Sequence, residues 1–334
     1  IDSWFRLTEN GTTVRTELVA GTTTFFTLAY IIFVQPALLS SVGMDFGAVF
    51  VATCLSGSIA TGLMALFANY PIAVAPGMGH NFFFAFTVVV AMEVPWPVAL
   101  GGVAIAGLLF ILVAGFGLRE RLISSIPKSL KHAIAVGIGL LISMVGLQWG
   151  GIIVDSPGTL VTLGDLATLP VGVSCAGFLV AAIFLAKKFQ GAILIGIFAS
   201  GAVAWLTGIS AFNGIVSAPP SIDETFLQLD LVNAFRPELF AVIFVFFFIA
   251  LFDSVGTLVG VADQAGLMRN GVLPRARGAL MADAVGTVVG ASLGTSTVTA
   301  YIESAAGVAS GGRTGFTAVV ISVWFIGALF FSPL

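Results

Sequence analysis

The stretch Gly-Thr-Ser-Thr-Val-Thr-Ala-Tyr-Ile-Glu-Ser-Ala-Ala-Gly-Val (294–308) opens extended and Thr-rich, then turns into a short helix of small residues carrying Glu303. A second stretch, Ile-Ala-Val-Ala-Pro-Gly-Met-Gly-His-Asn (72–81), follows the same plan, with four apolar residues ahead of Pro76 and Gly77 and a helix after them. Proline suits the first turn of a helix in 72–81, the Thr-rich lead does the same service in 294–308, and both stretches read as spans interrupted at their starts. Irregular backbone inside a bilayer is tolerated only where it is buried in protein or lines a cavity. Paired interrupted spans in two halves of a chain point to a transporter's midplane site, where half-helix N-termini and free amides face the substrate.

The rest of the chain supplies the bilayer context. Its 334 residues are 58% hydrophobic and 9% charged, with a mean hydropathy of +1.10, which excludes a soluble globular domain. Apolar runs of roughly 18 to 25 residues match a ~30 Å hydrocarbon core at 1.5 Å per residue. The spacing predicts an all-α polytopic membrane protein with helices near 17–40, 48–68, 76–91, 97–117, 128–150, 171–187, 190–210, 237–264, 278–293, 299–310 and 314–332. With the N-terminus cytoplasmic, the inside segments hold Arg6, Arg15, Arg119, Arg121, Lys128, Lys131, Lys187, Lys188, Arg269, Arg275, Arg277 and Arg313. Arg236 alone of the 13 basic residues then falls outside, a strong positive-inside pattern.

Other features exclude function classes. The net charge of −3 comes with no basic patch for nucleic acid. Cys54 and Cys175 lie in different predicted helices without Cys-x-x-Cys spacing, so neither a disulfide framework nor a metal site is expected. The first nine residues do not form a signal peptide, and the first helix is the expected insertion signal. Phosphate-loop, zinc-protease and nucleophile-elbow motifs are absent, so an ATP-driven pump or a membrane hydrolase lacks support, and no cofactor is expected.

The two interrupted spans are each third in a set of helices, the sets beginning at residues 17 and 237. That spacing implies a seven-helix repeat, and an odd repeat places the second unit inverted relative to the first. Four of its seven helices fall within the chain, so further helices are expected beyond Phe-Phe-Ser-Pro-Leu (330–334).

Four segments also carry a family resemblance: Glu-Leu-Val-Ala-Gly-Thr-Thr-Thr-Phe-Phe-Thr-Leu-Ala-Tyr-Ile-Ile-Phe-Val (17–34), Phe-Ala-Asn-Tyr-Pro-Ile-Ala-Val-Ala-Pro-Gly-Met-Gly (67–79), Phe-Asp-Ser-Val-Gly-Thr-Leu-Val-Gly-Val-Ala (252–262), and the opening stretch 294–308. In this order they resemble AzgA-type purine permeases of the xanthine/uracil permease superfamily. The resemblance implies fourteen helices in two inverted repeats, with a core domain of helices 1–4 and 8–11 and a gate domain of helices 5–7 and 12–14. On this chain residues 1–118 would be the first part of the core, 119–236 the first part of the gate, and 237–334 the second part of the core. The resemblance further implies proton-coupled import of adenine, hypoxanthine or guanine across the cytoplasmic membrane by a homodimer. The family's binding positions map onto Asn81, Asp253 and Glu303. The chain departs from the family pattern beside Asn81, where His80 and Phe82 stand in place of Leu and Ala, making His80 a candidate modifier of specificity or proton coupling.

The chemistry of these residues agrees with that role. Ionisable groups at membrane depth are costly and mark substrate or proton paths. A neutral purine presents adjacent donors and acceptors that a carboxyl or carboxamide meets with paired hydrogen bonds. Either Asp253 or Glu303 can carry the coupling proton while the other orients the base, with Asn81 adding its amide and Thr295 a hydroxyl. Phe82 and Phe252, with Phe83, Phe84 and Phe86 as competitors, can sandwich the ring. Plainer readings stand beside these: Glu303 as a first-turn acid, Asp253 and Asn81 as interhelical hydrogen-bond glue, Asp283 as a helix-end group, and Gly286, Gly290 and Gly294 as close-packing positions. An anion carrier of the same fold, or a channel, is the alternative function. Two acids in the site would repel an anion, and no ring of polar residues lines a pore.

Overall fold

The computed structural model describes residues 2–116, 128–157, 159–189, 191–210, 214–268 and 273–333. The expected cation-rich turn at Arg119 and Arg121, the expected domain boundary at 118–119, and Arg269 lie outside the described residues, as do the side chains of Lys128, Lys131 and His132. Backbone packing divides the chain into two units, one of residues 1–126 and 216–332, the other of 127–215 and 333–334.

In the first unit a short N-terminal helix α1 (Asp2–Phe5) precedes α2 (Val14–Leu28), whose start is capped by Thr13 Oγ1 accepting from the Thr16 amide at 3.2 Å. The single helix expected over 17–40 is instead two, α2 and α3 (Ile31–Ser40). At the break the amides of Ile32 and Phe33 reach only to Ala29 and Tyr30, each at 3.1 Å, and Pro36 inside α3 removes a further donor. Helix α4 (Phe46–Ala68) begins with Asp45 accepting from the Ala48 amide at 2.7 Å and ends at Asn69, which adopts a left-handed φ of 52°.

The expected interruption at 72–77 is a strand, β1 (Val74–Pro76), followed by α5 (Met78–Phe82), which widens into a π-helix over Phe83–Ala91. Such widening is rare and concentrates at functional sites. Helix α6 (Trp96–Phe116) completes the first set.

The second unit contains α7 (Lys128–Trp149), a hairpin of β2 (Ile153–Ser156) and β3 (Leu160–Leu163), α8 (Leu169–Ala186) and α9 (Ala192–Leu206). The hairpin was not expected from the sequence.

The chain re-enters the first unit through residues 216–236. Leu227 N donates to Ser292 O at 2.8 Å and Asp230 N to Pro97 O at 2.9 Å, and the turn α10 (Leu231–Ala234) packs on α6. A 3₁₀ turn at Pro237–Leu239 leads into α11 (Phe240–Gln264), then α12 (Ala276–Leu293), strand β4 (Val298–Ala300), short α13 (Ser304–Ala309) and α14 (Gly315–Ala328). Among the described residues, helical runs at Val14–Ser40, Phe46–Ala68, Trp96–Gly115, Leu169–Ala186 and Pro237–Gln264 are each long and apolar enough to cross a membrane.

Packing within the first unit follows an inverted repeat. Helix α4 packs on α12 at the centre, α4 on α14 is matched by α12 on α6, and α2 on α14 by α11 on α6. Lipid is as apolar as the side chains, so close backbone approach and polar contacts hold helices together. A Cβ placed on Gly286 would lie 2.7 Å from Ala60 Cβ, so the central crossing of α4 and α12 requires that glycine.

Strands β1 and β4 meet antiparallel, with Val74 opposite Ala300, Ala75 opposite Thr299 and Pro76 opposite Val298. Their outer groups are met by one threonine from each repeat. Thr61 Oγ1 on α4 donates to Val74 O and accepts from Val74 N, both at 2.9 Å. Thr287 Oγ1 on α12 donates to Val298 O at 2.9 Å and accepts from Val298 N at 3.3 Å. Because a buried backbone group left unpaired is penalised, Thr61→Val and Thr287→Val are each expected to cost about 1–3 kcal/mol. Thermal unfolding in detergent checks this, and a loss at one position without the other would break the symmetry of the account.

A second polar knot fixes α14. Glu17, fully buried on α2, accepts from Arg313 N at 2.9 Å, Thr314 N at 3.3 Å, Thr314 Oγ1 at 2.8 Å, Thr317 N at 3.1 Å and Thr317 Oγ1 at 2.6 Å. The carboxylate therefore serves the buried first-turn amides of another helix, where the dipole favours an anion. Asn69 adds a neighbouring tie, accepting from Gly315 N at 2.6 Å and donating to Phe5 O at 3.0 Å.

Candidate functional site

The crossing of β1 and β4 places the starts of α5 and α13 beside the middle of α11. Gly77 N donates to Thr297 O at 2.8 Å and Tyr301 N to Ala73 O at 2.9 Å, extending the ladder at both ends. Tyr301 Oη donates to Pro76 O, and the Ala73 amide donates to Ser304 Oγ at 3.0 Å. The backbone of the crossing is hydrogen-bonded within the protein, as irregular backbone inside a bilayer must be.

Asp253 projects from α11 with 43% of its side chain exposed. Its Oδ2 accepts from Thr299 Oγ1 at 3.3 Å, and Thr299 Oγ1 is 3.2 Å from Ser254 Oγ. Glu303, immediately before α13, is half-buried and accepts from Tyr30 Oη at 2.7 Å. The two carboxyls lie within electrostatic reach of each other. Both acids belong to the second repeat, Asp253 held to β4 through Thr299 and Glu303 held to the α2–α3 break through Tyr30.

The remaining expected residues form a second, deeper cluster. Asn81 is fully buried, and its Nδ2 donates to Gln35 Oε1. Gln35 Nε2 in turn donates to Thr295 Oγ1 at 2.9 Å. Asn81 and Thr295 are thus joined through a glutamine on α3, while Asn81 Oδ1 keeps no hydrogen-bond partner. Phe82 is buried and stacked on Phe86, with ring centroids 5.9 Å apart. Phe252 is half-buried beside Asp253 and stacks on Phe248, also at 5.9 Å. Phe83 and Phe84 both contact Phe246 of α11 instead.

Sequence reasoning missed Tyr30, Gln35, Ser254 and Thr299. Gln35 had a legible signal, being an uncharged polar group inside the apolar run Ile-Ile-Phe-Val-Gln-Pro-Ala-Leu-Leu (31–39). Tyr30 and Thr299 had none, because only the break between α2 and α3 and the strand register bring them to the acids. Asp283 is fully buried on α12, within electrostatic reach of Asp253. Its place in mid-helix differs from the helix-end role that its sequence position suggested. Among the described residues, no group of acids, histidines and cysteines has the arrangement of a metal site.

A model of the permease family that includes the xanthine/uracil permeases matches residues 15–334. The chain belongs to this family. It is a multi-pass membrane permease rather than an enzyme. Adenine permease AdeP of Escherichia coli is 47% identical over 331 residues, covering 99% of this chain and 74% of the relative. Guanine/hypoxanthine permease PbuO of Bacillus subtilis is 44% identical over 336 residues, covering 99% of this chain and 78% of the relative. Among solved structures, the transmembrane domain of the cyanobacterial bicarbonate transporter BicA superposes with a TM-score of 0.70 at 16% identity, covering 96% of this permease and 83% of that chain. That likeness establishes a shared fold with a helical polytopic transporter, in agreement with the inverted pairing of α2–α6 and α11–α14.

Proposed function

We propose that this permease moves purine nucleobases across the membrane by proton symport, binding the base at the β1–β4 crossing. The observation that carries the reading is the placement of Asp253 and Glu303, both of the second repeat, beside the hydrogen-bonded crossing where β4 meets the interrupted span β1 of the first repeat. Relatives named for adenine and for guanine/hypoxanthine transport support the substrate class. Asp253 and Glu303 meet the donors of a purine edge, Asn81 and Thr295 brace the far wall through Gln35, and Phe252 offers a ring face. Either carboxyl can take the coupling proton, and no other cofactor is invoked. The first unit acts as the core and the second as part of the gate. The basic residues of the alternate loops support a cytoplasmic N-terminus, and the inner membrane and a homodimer complete the reading. The fold is shared with a bicarbonate transporter, but two carboxyls at the crossing oppose an anion.

The test is uptake of radiolabelled adenine, hypoxanthine and guanine into proteoliposomes with an imposed pH gradient. Saturable uptake is expected, falling to the passive level when an ionophore dissipates the gradient. Uptake proportional to concentration, or indifferent to the gradient, would contradict proton symport.

A further inference from the structure

Among the described residues, His80 is a buried polar group of the site that hydrogen bonds serve poorly. It lies on α5, is 1% exposed, and neither ring nitrogen makes a hydrogen bond of good geometry, the Ile249 carbonyl of α11 being the backbone group within its reach. Its Nδ1 sits 3.9 Å from Asp253 Oδ2, beyond direct hydrogen-bond length but within the reach of a small ring rotation. The approach is built in by Gly77, since a Cβ there would lie 2.7 Å from Nδ1. A buried donor left unpaired costs about 1–3 kcal/mol, so a ring held in this way points to a partner gained during the working cycle. The titratable groups around the pair are Asp253 of α11, Asp283 of α12, Tyr301 and Glu303 of the β4–α13 segment, and Tyr30 at the α2–α3 break, the last bonded to Glu303.

We propose that His80 is a positioning residue that shares the exchangeable proton of the site with Asp253. The inference rests on the purine reading above and assigns the regulation of that site. With the proton on Nδ1, the imidazolium N–H holds Asp253 as a pure acceptor. When the proton passes to Oδ2, the N–H bond breaks as the O–H bond forms, the ring is left neutral, and Asp253 becomes a donor as well. A base edge that presents a donor selects the first form, and one that presents an acceptor selects the second. The histidine thereby couples the protonation of the site to the face of the base that it accepts, and the titration belongs to the pair.

The experiment compares the purified chain with His80→Gln, His80→Leu, Asp253→Asn and the His80→Leu/Asp253→Asn double variant between about pH 5 and 8. Binding of labelled adenine, hypoxanthine and guanine is measured beside the melting temperature without base. Glutamine keeps a donor but does not titrate, so His80→Gln should still bind while its pH profile flattens. His80→Leu should bind about tenfold more weakly. In the absence of base, His80→Leu and Asp253→Asn should alter the pH dependence of melting in the same window, with the double variant adding nothing. Profiles of both histidine variants parallel to the parent's, with and without base, would overturn the inference. If the parent binds no base while the melting profiles still couple the two residues, the purine reading fails and the shared proton is upheld.

Discussion

Asp253→Asn should weaken binding of the transported base about 100-fold while leaving the melting temperature close to the parent's. The substitution keeps the shape of the side chain but replaces an acceptor oxygen with an N–H₂ group. A donor then faces the donor of the bound purine, and a hydrogen bond to a charged group, worth about 1.5–3 kcal/mol, is lost. The fold depends little on this side chain, because Asp253 is 43% exposed and takes only a 3.3 Å contact from Thr299 Oγ1. Equilibrium binding beside a thermal melt separates the two effects. Binding within a few-fold of the parent's would make Asp253 the structural hydrogen-bond hub that the sequence also allows.

The interrupted spans were legible because proline, glycine and threonine punctuate apolar sequence at 72–81 and 294–308. The helices around them follow from apolar length, and their observed limits fall within a few residues of the expected ones at, for example, Phe46–Ala68 and Ala276–Leu293. The break between α2 and α3 was hidden because every residue from Ile31 to Val34 is as apolar as a continuous helix would require. The β1–β4 pairing was hidden for another reason. Residues 74–76 and 298–300 are more than 200 positions apart, and a ladder of three residues leaves no alternation to read. Of the site, the acids and Asn81 could be singled out as costly polar groups at depth. Their hydrogen-bond partners Tyr30, Gln35 and Thr299 depend on which faces the fold turns inward, and a phenol or a hydroxyl in an apolar run carries little signal of its own.

The largest loss of stability is expected from Glu17→Ala. Five donors on Arg313, Thr314 and Thr317 converge on that carboxylate, and its removal leaves the Arg313 and Thr314 amides without that acceptor, with only the Thr314 hydroxyl still capping α14 at Phe316 N. Breaking one side of a buried charged network costs about 3–5 kcal/mol. Glu17→Gln should recover only part of this, because its amide nitrogen presents hydrogens to groups that are themselves donors. Thermal unfolding of the detergent-solubilised protein, read beside protease sensitivity near residue 313, checks the order parent, Gln, Ala. An Ala variant as stable as the parent would remove the knot from the account. Because α14 packs on both α2 and α4, the same loss should loosen the bundle around the crossing and reduce base binding indirectly.

Equilibrium binding of radiolabelled adenine, hypoxanthine and guanine to the purified, folded chain, repeated with Asp253→Asn and Glu303→Gln, decides whether the crossing holds a purine. Selective binding of at least one base is expected, lost in both variants while their folds persist. Absence of binding for all three bases to a protein shown to be folded, or binding that survives both substitutions, would contradict a purine site at the β1–β4 crossing.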